Sequence, residues 1–72
     1  MQGIKFLEDC TLTVYESATD ETGTPEVFTK NEVSDADIIE DKGSAVDIQF
    51  GEGSVAFNIP KNAIEVIEIS YP

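Results

Sequence analysis

The chain has no tryptophan and no histidine, and its one cysteine is Cys10. Lack of histidine removes the Cys-His nucleophile pair and every histidine-containing zinc set. A lone thiol forms no internal disulfide. Cys10 lies in phase with Leu12 and Val14, which reads as a small buried hydrophobe in a chain suited to a reducing compartment. Basic residues are also scarce: 4 Lys+Arg stand against 15 Asp+Glu, a formal charge of -11 on 72 residues. Such a charge opposes compaction and argues against direct contact with nucleic-acid phosphates. It is compatible with a basic protein surface as partner, or with solubility alone. No apolar run approaches transmembrane length, no apolar h-region follows Met1-Gln2-Gly3-Ile4-Lys5, and Gly3 is not at the myristoylation position. The expected location is cytoplasmic, with no membrane partner. The length fits one domain spanning 1–72, near the lower limit for a self-sufficient core.

What is present is period-two alternation. Val46, Ile48 and Phe50 alternate with Asp47 and Gln49; Val55, Phe57 and Ile59 alternate with Ala56 and Asn58. Each set has the spacing of a half-buried strand. Gly51-Glu52-Gly53-Ser54 between them is a turn. A two-residue tip at Glu52-Gly53 sets Phe50 against Val55, Ile48 against Phe57 and Val46 against Ile59, with all six apolar side chains on one face. Pro60 lacks the N–H to continue a ladder, so the second strand ends there.

The rest of the chain is read around this hairpin. Ile4–Leu7 is a short strand and Cys10–Glu16 alternates well; the pattern allows one bulged strand or two. Ser17–Glu26 is a polar, acidic loop with Gly23 and Pro25, either a binding loop or a plain connection. Lys30-Asn31-Glu32 is a turn with Asn31 a candidate for the left-handed region. Val33–Glu40 is the next strand, with Ala36 and Ile38 inward and Asp35 and Asp37 outward. A three-residue link, Asp41-Lys42-Gly43, pairs Ile38 with Val46 and Ala36 with Ile48. Lys61-Asn62-Ala63 is a single 3₁₀ turn. In Ile64–Ile69, a last strand, Ile64 and Val66 share one phase and Ile67 and Ile69 the other. Ser70-Tyr71-Pro72 is a tail. The fold class is all-β.

From Val27 to Ile67 this order resembles an SH3-type domain. In that fold a hydrophobic residue and a turn precede the second strand, and two tight links join the second, third and fourth strands. A proline and a 3₁₀ turn then lead into the last strand. Here those parts are Phe28 with Lys30-Asn31-Glu32, the strands Val33–Glu40, Ala45–Phe50 and Val55–Ile59, and Ile59-Pro60-Lys61-Asn62 before Ile64. Ser17–Glu26 matches the long loop after the first strand. The resemblance implies a single small SH3-like barrel of five or six short antiparallel strands. The polyproline groove of that family is missing: Leu12-Thr13-Val14-Tyr15, Ala45-Val46 and Ala63 occupy its aromatic positions, and only Tyr15, Pro60 and Asn62 survive. The chain also looks like the short uncharacterised reading frames of bacteria and phages.

The candidate site follows from the expected register, which sets Asp37 directly opposite Asp47, with Asp35 beside it and Gln49 across. Like charges so placed cost up to ~1 kcal/mol per pair, so Asp35, Asp37, Asp47 and Gln49 are read as a surface for a basic partner, joined by Asp20 and Glu21 from the loop. Such repulsion would raise carboxyl pKa values and make the fold more stable as pH falls. The alternative is a solvated face that guards an edge. No EF-hand spacing supports a calcium site, no cofactor is expected, and the usual acid–base and nucleophile parts are missing, so no enzyme activity is expected. The function expected is a non-enzymatic protein-interaction domain. A DNA-mimic inhibitor of a nucleic-acid-binding protein is a second reading. A structural or assembly subunit, a homo-oligomer joined through the free edge of Ile64–Ile69, is a third.

Overall fold

The computed structural model describes residues 2–17 and 19–69; the expected tail Ser70-Tyr71-Pro72 lies outside the described residues. The elements are β1 (Gln2–Phe6), β2 (Cys10–Tyr15), β3 (Thr24–Phe28), β4 (Val33–Asp41), β5 (Ala45–Phe50), β6 (Val55–Pro60), a 3₁₀ turn (Lys61–Ala63) and β7 (Ile64–Glu68). They form one antiparallel sheet in the order β3-β2-β6-β5-β4-β1-β7, curled into a half-barrel. The segment from Ile4 to Glu16 is thus two strands, which separate widely: β1 sits between β4 and β7, β2 between β3 and β6.

The curl comes from β4 and from the aromatic core. Val33, Ser34 and Asp35 pair with β1, whereas Ala36 to Asp41 pair with β5, so β4 changes neighbours along its length. Phe28 of β3 stacks on Phe6 of β1 at 4.6 Å and on Phe50 of β5 at 5.7 Å. In the sheet order β1 and β3 are far apart; only a curled sheet brings their rings into contact. Backbone bonds fasten the same seam. Phe6 N–H donates to the Glu32 carbonyl at 3.0 Å and Asn31 N–H to the Phe6 carbonyl at 2.7 Å. Asn31 adopts φ 73, as its place in the turn predicts. Around the three rings pack Ile4, Val14, Ala36, Val46, Ile48, Ala56, Ile59 and Ile64, with Cys10, Leu12 and Ile38 partly buried against them. Cys10 is therefore half-buried rather than enclosed.

Both hairpin links differ from the sequence expectation, and each difference moves the register. At the β5–β6 end, Gly53 N–H donates to the Phe50 carbonyl (2.9 Å) and Phe50 N–H to the Ser54 carbonyl (2.8 Å). The loop is Gly51-Glu52-Gly53, with Gly53 at φ 105 as the left-handed residue that closes it. That extra loop residue pairs Gln49 with Val55 and Ile48 with Ala56. A bulge then restores the expected partnership of Val46 with Ile59: Phe57 and Asn58 together oppose Asp47, and Asn58 takes φ 58. In consequence Ala56, not Phe57, enters the core, and Phe57 is 40% exposed. At the β4–β5 end the link is shorter than the expected three residues. Lys42 N–H donates to the Ala45 carbonyl at 2.8 Å, leaving Gly43-Ser44 as the turn, with Gly43 at φ 93. Ile38 pairs with Ile48 and Ala36 with Phe50; a bulge between Ile38 and Glu40 absorbs the offset and turns Ile39 outward, 51% exposed.

Candidate functional site

The acidic face splits under this register. Asp37 lies opposite Gln49, and both are exposed; Asp47 lies opposite Glu40. Asp47 is only 4% exposed, so it drops out of the expected surface, and the Asp37–Asp47 pairing is replaced. The shorter β4–β5 link displaces the pairing, and Asp47 is engaged by the β6 bulge. The bulge turns the Asn58 N–H onto Asp47 Oδ1 at 2.9 Å, and Lys42 Nζ approaches the same oxygen at 3.1 Å while donating to Asn58 Oδ1 at 2.7 Å. The Asn58 amide, with Lys42, holds the Asp47 carboxyl below its ordinary range, although burial pushes the other way. The repulsive, raised pKa expected at this position is reversed into a satisfied, lowered one.

In the loop, Asp20 serves its own backbone. Its carboxylate accepts the Thr22 N–H at 3.0 Å and the Glu16 N–H at 3.1 Å, which lowers its pKa. The expected loop is also shorter than Ser17–Glu26, because Thr24, Pro25 and Glu26 pair with Val14, Thr13 and Leu12 inside β3. Glu21 stays exposed. The Cys10 thiol is raised by burial and then by Glu8 and Asp9, the opposite of an activated nucleophile.

A concavity lies elsewhere, between the β2–β3 hairpin and the β5–β6 turn. Glu26, Phe28, Ser34, Asp35, Phe50, Gly51 and Glu52 line a cleft of about 300 Å³. A second hollow shares Glu26 and Glu52 with it and adds Glu16, Thr24 and Ser54. Four carboxylates, from Glu16, Glu26, Asp35 and Glu52, therefore line two hollows that adjoin at Glu26 and Glu52 and together make an acidic groove, with Phe28 and Phe50 in the lining of the first. Gly51 leaves room for the Asp35 carboxylate. Its N–H donates to the Asp35 carbonyl at 2.8 Å, and a Cβ there would collide with the Asp35 carboxylate. Ser54 Oγ donates to Glu52 Oε1 at 2.6 Å and fixes that side of the rim. Among the described residues no lysine lines either hollow. Among the described residues, Lys42 pairs with Asp47 and Lys61 with Asp41 at 2.6 Å, both at the β4–β5 end of the sheet. Lys42 and Lys61 are thus held at that end, and neither lines the acidic hollows.

Of the residues expected from sequence, Asp35 belongs to this groove; Asp37 and Gln49 lie together on the sheet beside it. Glu26, Glu52 and Glu16 are the residues that sequence reasoning missed. Glu26 reads as loop and Glu52 as turn, and nothing local brings them together. Among the described residues no three potential ligands converge to hold a metal ion. Comparison with protein-family models, curated proteins and solved structures finds no match to this chain. The structure defines the class: a small all-β domain built on a curled antiparallel sheet. None of its described helices is long and apolar enough to cross a membrane.

Proposed function

We propose that this chain is a non-enzymatic interaction domain on an SH3-like barrel that holds a basic protein segment in its acidic groove. The observation that carries the reading is the lysine-free groove of Glu16, Glu26, Asp35 and Glu52 over Phe28 and Phe50. Carboxylates spread along a groove suit a row of Lys or Arg side chains, whose apolar stems lie in the groove while the cations meet the rim. Asp37 and Gln49 extend the contact onto the sheet, and Glu21 extends it along the loop. The SH3-like assignment draws support from the order of parts: β4, β5 and β6 are joined by tight links, and a 3₁₀ turn leads into β7.

The test is titration of the labelled protein with a Lys-rich peptide and with its Glu-for-Lys counterpart. Amide shifts at Glu26, Asp35 and Glu52 are expected with the first peptide alone. They should weaken with added salt and in Glu26→Gln and Glu52→Gln. Shifts scattered evenly over the surface, or unchanged by both variants, would overturn the reading.

A further inference from the structure

We propose that β7 is a self-pairing edge, through which two copies of this chain join their sheets about a two-fold axis at Val66. Among the described residues the sheet has two edge strands, β3 and β7. The β3 edge carries Pro25, which has no N–H to offer a new strand. β7, Ile64-Glu65-Val66-Ile67-Glu68, has neither proline nor lysine, and Val66 is 46% exposed.

The orientation of its backbone follows from β1. Phe6 directs both its N–H and its carbonyl toward the Asn31–Glu32 side, while Leu7 N–H donates to the Ala63 carbonyl at 2.9 Å. Backbone groups alternate along an antiparallel strand, so Gly3 and Lys5 face β7 and bond their partners Ile67 and Glu65. Ile64 and Val66 then point their N–H and carbonyl groups away from the sheet, into the open edge.

The side-chain order selects a second copy as occupant. Placed antiparallel with Val66 opposite Val66 of the second copy, the strand sets Glu65 opposite Ile67 and Ile64 opposite Glu68 of that copy. No carboxylate opposes another, the two exposed valines meet, and Lys5 lies opposite Glu65 on the inner side of each protomer. What opposes association is the net charge of -11 on each copy. Added salt therefore strengthens this contact, whereas it weakens the capture of a basic segment by the groove; the two readings fail independently.

The test is sedimentation of the intact chain at about 0.1 M and about 1 M NaCl, with amide exchange measured in parallel. The expected result is a mass that shifts from 7.8 kDa toward twice that value as salt rises, with new protection at Ile64 and Val66. Val66→Pro removes an N–H that the single copy does not use, and Val66→Lys adds charge at the axis; each should hold the chain at the monomer mass in high salt. Val66→Lys covers the case in which Val66→Pro fails to fold. A monomer at both salt concentrations, or a dimer that survives Val66→Lys, would overturn the proposal.

Discussion

Phe28 supplies the sharpest test of the fold, because it is the core side chain that β3 contributes. It is 8% exposed and touches Phe6 and Phe50 in stacked geometry. A buried aromatic side chain hides roughly 150–200 Å². At about 25 cal/mol per Å² that is about 4–5 kcal/mol, of which a methyl group keeps about 1. The cavity left behind adds to the loss, which puts Phe28→Ala at about 3–5 kcal/mol. A domain of this size has about 4–11 kcal/mol in all, so the substitution removes a large share of it. Val27, its neighbour, is 67% exposed, and Val27→Ala should stay within about 0.5 kcal/mol. Urea unfolding of both variants is the assay, with amide exchange to follow β2 and β3 separately. If Phe28→Ala cost no more than Val27→Ala, the three-ring stack would not be what closes the sheet.

Three further outcomes are expected. Ala56→Asp places a carboxylate in the core and should lower stability by several kcal/mol or prevent folding, whereas Phe57→Ser should cost about 1 kcal/mol; the opposite ranking in urea melts would restore the two-residue turn. Asp47 has a folded pKa below its unfolded value of about 3.9, so its contribution is present above that value and is lost as pH falls through the folded pKa. Hence the gap in urea midpoint between the wild type and Asp47→Asn should be widest near neutrality and close as pH drops below about 4; a gap that widens in acid would contradict the Asn58 contact. Asn31 sits at φ 73, so Asn31→Gly should be tolerated while Asn31→Val should cost about 1–2 kcal/mol, read from thermal unfolding.

Several features were legible because their causes are local. Alternation marks β2, β4 and β5, the missing N–H ends β6 at Pro60, and Lys61–Ala63 forms the 3₁₀ turn. Asn31 belongs to the few residue types that accept a positive φ in a tight turn, and it adopts one. The same local reading places Asp35 and Asp37 outside the core.

Register is a different matter, since it depends on pairs of residues far apart in the chain. Glu52-Gly53 and Gly51-Glu52-Gly53 are both reasonable turns for the same residues. The choice falls to the three-residue form together with a bulge at Phe57-Asn58, an arrangement that fills the interior with Ala56 and the Phe6–Phe28–Phe50 stack. Asp47 is then covered and paired with Lys42 and Asn58, although its place between Val46 and Ile48 reads as solvent-facing. The acidic groove likewise exists only once β3 curls round to meet β1 and carries Glu26 across to Asp35 and Glu52. Composition and alternation therefore settled that this is an acidic all-β chain with its main strands and turns. Which carboxylates gather, and which is buried, was decided by loop length and by closure of the sheet. Both are energies of long-range contact that a stretch of sequence does not carry.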